Sequence, residues 1–171
     1  MSRAEAFHLR CLQKNCKEEI EWVAQRMRRT LMEVVGEQEG VEMYSMDWLR
    51  QRVHFHLEEE RCTGQVILAE DAAGFPAGHL ILRLEKSPKG EFFGLISTIY
   101  VEPKFRRQGL AGRFYDRAEA WFRQQGMEQA VTDTADDNTP LLRILQDRGF
   151  RIVETADSMV RLAKSLNPAT A

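Results

Sequence analysis

The chain has 171 residues, of which 43% are hydrophobic and 29% charged, with a formal net charge of −2 at pH 7. A chain of this length makes one compact domain and can bury about two-thirds of its surface. The slight acidic balance excludes a general nucleic-acid binder, which needs a basic face. No apolar run is long enough to span a bilayer, and the N-terminus lacks the apolar segment of a secretory signal. Cys11, Cys16 and Cys62 are odd in number and show no metal-type pairing. They read as reduced thiols in a cytoplasmic protein, with no metal site expected.

In chain order, 6–12 reads as a first strand. Residues 17–35 carry Ile20, Val23, Ala24, Met27 and Leu31 at helical spacing, with charges between them. Gly36 to Gly40 reads as a break. A second helix is expected over 46–60, with Asp47 as its cap and Trp48, Val53 and Leu57 among its apolar residues. Its His54 and His56 are two apart, diverge on a helix and read as surface or half-buried groups. The Glu58-Glu59-Glu60 run reads as a solvated helix end. Strands follow at 65–69, 78–84 and 92–101, separated by turns at Gly74-Phe75-Pro76 and Ser87-Pro88-Lys89-Gly90. A helix over 108–125 places Ala111, Phe114, Ala118, Trp121 and Phe122 on one face. A strand at 127–134, a helix at 139–148 and a hairpin over 151–163 complete the order. The domain is expected over 1–166, with 167–171 as a loose tail.

The stretch Ile99-Tyr100-Val101-Glu102-Pro103-Lys104-Phe105-Arg106-Arg107-Gln108-Gly109-Leu110-Ala111 carries the strongest chemical signal. An apolar strand ends at Pro103, basic residues bracket a turn, and small residues open directly into a long helix. Small residues let backbone approach an anion closely, and the first N–H groups of a helix have no internal partner and point outward. A second block runs from Asn138-Thr139-Pro140-Leu141-Leu142 to Asp147-Arg148-Gly149-Phe150. Pro140 suits a helix start, where its missing N–H costs nothing. Gly149 suits the left-handed residue beyond the helix end, from which Phe150 can fold back onto Leu145 or Leu142. Asn138 can cap the helix.

The spacing Arg106-x-x-Gly109-x-Ala111 resembles the Gln/Arg-x-x-Gly-x-Gly/Ala signature of the GNAT superfamily of acyl-CoA-dependent N-acyltransferases. The Asn138 to Phe150 block resembles that superfamily's second motif. The resemblance covers about residues 90–163, whereas the N-terminal half matches in layout. It implies an α/β (α+β) GNAT fold: a mixed, mostly antiparallel sheet of about six or seven strands, splayed between two parallel strands and flanked by about four helices. It also implies acetyl-CoA as cosubstrate. The pantetheine arm then bonds to backbone of Ile99, Tyr100 and Val101, as an added strand would. Backbone N–H groups of Arg107, Gln108, Gly109, Leu110, Ala111 and Gly112 meet the pyrophosphate. Arg106, Arg107 and Arg113 supply charge. Asn138 is carried over as a contact of the pantetheine arm or the reacting centre.

The reaction implied is direct attack of a primary amine on the thioester in a ternary complex, with the acceptor a small-molecule or peptide amine. Asp133, on the strand beside the expected gap, is the candidate carboxylate to hold the ammonium or relay its proton. It could equally cap a turn. Many members place a Tyr seven residues after the Asn to protonate the departing thiolate, whereas this chain has Leu145. Ser158, Tyr115, Tyr100 or a water are the alternative acids. The C-terminal half is most similar to aminoglycoside 6′-N-acetyltransferases, but Ser97-Thr98 stands where those enzymes carry an acid before the Ile-Tyr-Val run. The alternative functions are a CoA-binding sensor or regulatory domain without turnover, or an aminoglycoside 6′-N-acetyltransferase. A homodimer is compatible with the resemblance.

Overall fold

A computed structural model of the chain describes residues 6–167, so the end of the expected tail lies outside the described residues. The elements run β1 (His8–Cys11), α1 (Lys17–Val35), α2 (Glu37–Met43), α3 (Met46–Leu57), β2 (Gly64–Glu70), β3 (Pro76–Lys86) and β4 (Phe92–Val101). They continue with α4 (Leu110–Gln124), β5 (Gln129–Ala135), α5 (Thr139–Asp147), β6 (Arg151–Ala156) and β7 (Met159–Ser165). The strands form one seven-stranded sheet in the order β1-β2-β3-β4-β5-β7-β6. Every neighbouring pair is antiparallel except β4 with β5. The mixed, mostly antiparallel sheet expected from the sequence is therefore present.

The strand period of two sends alternate side chains into two cores. Leu80 and Leu82 of β3 join Phe114, Phe122, Leu145 and Phe150 in a core on the α4 side. Ile81, between them, joins Ile20, Val23, Leu49 and Val53 on the α1 and α3 side. Helix α4 lies close on β4. A Cβ at Gly94 would stand 2.3 Å from the Phe122 ring, so glycine is what lets the helix approach.

Three expectations need correction. The break expected at 36–40 is only Gly36, whose φ of 102° ends α1, and the chain turns at once into α2. Gly40 is a packing residue rather than a breaker, since a Cβ there would lie 2.5 Å from the Met32 backbone nitrogen. The described residues accordingly hold five α-helices, in keeping with the expected fold. The cap of α3 is Ser45, whose hydroxyl accepts from the Trp48 N–H at 3.0 Å. Asp47 instead faces Arg50 at 2.7 Å, since the acidic residue lies two positions past the cap, inside the first turn. His56 is buried, not half-exposed. Desolvation pushes its imidazole down to about 4, and Arg83 contacts its Nε2 at 3.1 Å.

Candidate active site

The parallel strands β4 and β5 stay together for only a short stretch. Their register runs from Gly94 opposite Ala130 to Ile96 opposite Thr132, and there the pairing stops. The cause lies partly on the other edge of β4. Between β3 and β4 the register passes from Leu82 opposite Ile96 to Ile81 opposite Thr98, leaving Ser97 as an extra residue. Such a bulge bends its strand and increases the local twist, which carries the rest of β4 away from β5. Thr132 marks the fork, its hydroxyl donating to the Ile96 carbonyl at 3.2 Å. Beyond it, Ile99, Tyr100 and Val101 keep their partners in β3, while no pairing with β5 covers the other edge. That open edge fits an extended ligand chain.

Past the strand, Pro103–Phe105 makes one 3-10 turn, and the basic loop leads into α4. Gly109 is the residue before the helix and sits at φ 85°, the left-handed region in which a side chain is strained. Arg107 adopts φ 62°, uncommon for a residue with a Cβ, and is exposed. The helix therefore opens with the N–H groups of Leu110, Ala111 and Gly112 at its free end. Gly112 is roomy, with Arg148 the nearest neighbour of a built Cβ at 3.8 Å. This cradle suits a pyrophosphate.

The two loop arginines are differently placed. Arg106 turns back, donating to the Val101 carbonyl and to Glu33 of α1, each at 2.8 Å, and lying over the Tyr100 ring. Arg107 has no ion pair among the described residues and is the loop cation open to an anion. Arg113 reaches the Phe7 carbonyl through its guanidinium.

In the second block, Asn138 caps α5, accepting weakly from the Leu141 N–H at 3.5 Å and donating to Thr134 at 3.2 Å. Gly149 has φ 94°, and the Phe150 N–H returns to the Leu145 carbonyl at 3.0 Å, as the helix-end pattern required. Leu145 itself is fully buried among the residues of the α4-side core.

Asp133 lies one residue past the last β4–β5 pair, opposite Arg161 of β7. Its carboxylate accepts two hydrogen bonds from that guanidinium, at 2.8 and 3.0 Å, and both side chains are partly exposed. Asp133 therefore makes a cross-strand pair rather than a turn cap. Ser158 occupies the turn between β6 and β7 at φ 63°, and its carbonyl ties that turn to Asp136 just after β5. Tyr115 is buried on α4, and burial pushes its phenol up to about 12.

One polar group near the fork was not singled out by sequence reasoning. His79 of β3 is fully buried, and its Nε2 lies 3.0 Å from the Thr98 hydroxyl. Burial pushes its imidazole down to about 3, with the Arg26 charge acting in the same direction. The only signal in the sequence was a histidine inside the apolar run Ala77-Gly78-His79-Leu80-Ile81.

Among the described residues, no helix is long and apolar enough to cross a membrane. The family profile described as Acetyltransferase (GNAT) family matches residues 18–150. No functionally curated protein matches the chain in sequence. Solved structures share its fold at low identity. The NatC complex bound to Gag peptide and CoA is 16% identical, covers 98% of this chain and 100% of that one, and superposes with a TM-score of 0.74. The PaiA N-acetyltransferase of Thermoplasma acidophilum, in complex with coenzyme A, is 15% identical over 93% of this chain and 98% of that one, with a TM-score of 0.73. A GNAT acetyltransferase from Listeria monocytogenes is 18% identical over 93% and 94%, with a TM-score of 0.68. With a family match across most of its length, on a sheet whose parallel strands fork before a glycine-led helix, this chain belongs to the acetyltransferase (GNAT) family.

Proposed function

We propose that the chain transfers an acetyl group directly from acetyl-CoA to a primary amine while both are bound. The observation that carries this is the fork: β4 loses β5 after Ile96 just where the bulge at Ser97 bends it, and the open edge leads to the helix N-terminus that would take the phosphates. A chain lying along Ile99, Tyr100 and Val101 with its pyrophosphate at Arg107 to Gly112 would place its thioester near the fork. The thioester carbonyl then faces backbone N–H groups of β4, which favour the oxyanion formed on attack. The amine approaches across the face that carries Asp133, which holds it as the ammonium. Water takes one proton to free the nitrogen lone pair before attack, and a second proton passes from nitrogen to water as the tetrahedral intermediate collapses and the thiolate leaves. Arg161 already occupies part of the Asp133 carboxylate. For that reason the residue acts in this reading as an anchor for the amine more than as a strong base. Asn138 stays with the site through Thr134, on the strand beside the fork.

Both a small-molecule amine and a peptide amine remain acceptors in this reading. The NatC neighbour, crystallised with peptide and CoA, supports including peptides. The test is release of free thiol from acetyl-CoA across spermidine, kanamycin, L-methionine and a short peptide beginning Met-Leu. Binding of acetyl-CoA without release to any acceptor would favour a CoA sensor instead.

Two predictions belong to this reading. Replacing Arg106 and Arg107 together by alanine should weaken CoA about 10- to 100-fold, from the loss of charge-assisted bonds. Binding of pantetheine, which has no phosphate, should change far less. Arg107→Ala alone should carry most of the loss, since Arg106 is engaged with Glu33 and Val101. Equal losses for both ligands would show that the arginines act through structure. Asp133→Asn should lower kcat/KM for the amine about 10- to 100-fold, through a weaker hold on the ammonium, with CoA affinity unchanged. Its partly exposed ion pair should cost at most about 1 kcal/mol of stability. An unchanged kcat/KM for the amine would remove Asp133 from the amine site.

A further inference from the structure

We propose that the Thr98 hydroxyl donates to the thioester oxygen on which negative charge develops, and that His79 is the positioning residue that aims it. The inference rests on reading the fork as the thioester site. Thr98 follows the bulge residue Ser97 and lies two positions beyond Ile96, where the pairing with β5 ends. It is half-buried, whereas His79 is fully buried against it. The imidazole is packed edge-on to Trp22 of α1, with ring centroids 6.4 Å apart, and stacked with Tyr100 at 6.1 Å. It is thus held on more than one side, and Nε2 stays 3.0 Å from the Thr98 oxygen.

The remaining ring nitrogen decides the direction of this bond. Nδ1 of His79 is buried and has no hydrogen-bond partner. A charged imidazolium would put an unpaired proton and an uncompensated charge in that place, next to Arg26 of α1. The ring is therefore neutral and does not serve as the base for the amine. Of the two neutral tautomers, one leaves an orphaned N–H at Nδ1 and the other leaves only a lone pair. Orphaned buried N–H groups are the rarer case. The ring accordingly keeps its proton on Nε2 and donates it to the Thr98 oxygen. With one lone pair of that oxygen taken, the hydroxyl proton points away from His79 and is free to meet an oxygen lying along the uncovered edge of β4. A donor fixed in advance toward a developing oxyanion needs no reorganisation during the reaction.

Two substitutions read this directly, with acetyl-CoA and whichever of spermidine, kanamycin, L-methionine or the Met-Leu peptide is turned over fastest. Thr98→Val keeps the shape and removes the donor. It should lower kcat about 10²-fold, the usual effect of deleting one oxyanion donor, with KM for both substrates within about twofold. His79→Leu should reproduce the loss in kcat, while His79→Gln, which can place an N–H near the same point, should recover most of it. The double variant T98V/H79L should be no slower than T98V. Titration with acetyl-CoA shows that each variant retains the folded cofactor site. A wild-type kcat in T98V overturns the inference, and so does a rise in KM for the amine alone, which would make Thr98 an acceptor-binding contact. Equal rates in H79Q and H79L would remove His79 as the positioning residue. If the native chain binds acetyl-CoA but releases thiol with none of the amines, the transfer reading itself fails and takes the inference with it.

Discussion

Gly109→Trp abolishes measurable acetyl-CoA binding by calorimetric titration and leaves the chain folded. Two effects coincide at this position. Gly109 holds φ 85° as the residue before α4, so any side chain there must be forced into the left-handed region. The indole would also fill the volume through which phosphate oxygens reach the N–H groups of Leu110, Ala111 and Gly112. The strain costs roughly 1–2 kcal/mol, a minor fraction of a domain's stability. Steric occlusion of the cradle has no such ceiling, and affinity should fall by more than about 10²-fold, or about 2.7 kcal/mol. Gly109→Ala separates the two, since it carries the strain without the bulk and should retain weak binding. Wild-type affinity in the Trp variant would mean that the phosphates lie elsewhere.

Leu145→Tyr unfolds at a substantially lower temperature and gains no thiol release above pH 8. By the resemblance of the Asn138 to Phe150 block, position 145 is where many family members carry a tyrosine as the acid, so restoring that tyrosine is the natural rescue of a missing acid. The structure forbids it. Leu145 is fully buried, its carbonyl receives the Phe150 N–H, and it belongs to the same core as Phe150, Tyr115 and Phe114. A phenol there adds volume to a filled space, at about 1–3 kcal/mol. It also buries a hydroxyl with no partner, at about 1–3 kcal/mol more. For a domain of this size each kcal/mol lowers the melting temperature by about 2–4 °C. A melting temperature equal to wild type, with faster release at high pH, would show that the position opens onto the sulfur after all. Without that tyrosine the thiolate must leave unaided or with help from water, which a thiol of pKa about 8.5 tolerates.

Much of the architecture was legible because the signals are local. The period of two in β2 to β4 and the helical spacing in α1 and α4 gave the element order. Gly109, Pro140 and Gly149 fixed their turns through their own backbone preferences. Pro140 and the Asn138 cap lie where the sequence placed them. The misreadings have one cause. Gly36 and Gly40 look alike as letters, yet Gly36 turns the chain whereas Gly40 makes room for Met32. Only the packed neighbour distinguishes the two roles. Ser45 and Asp47 are both good caps, and the first helical residue decides between them.

For the site, the sequence by itself marked the loop proposed here to bind an anion, because a basic, small-residue loop opening a helix carries its own donors. It also determined the family, through two motifs whose residue types and spacing are readable along the chain. Tertiary structure alone decided what those residues face. Arg106 and Arg107 are adjacent and chemically identical, yet one is tied to Glu33 across the fold and the other is left open. Asp133 gains Arg161 only because β7 lies beside β5, out of sequence order. His79 and Thr98 meet because the bulge at Ser97 shifts the register of β4 by one residue. The physical reason is common to all three. Propensity and capping depend on near neighbours in the chain, whereas burial, ion pairing and hydrogen-bond direction depend on groups that only folding brings within a few ångströms.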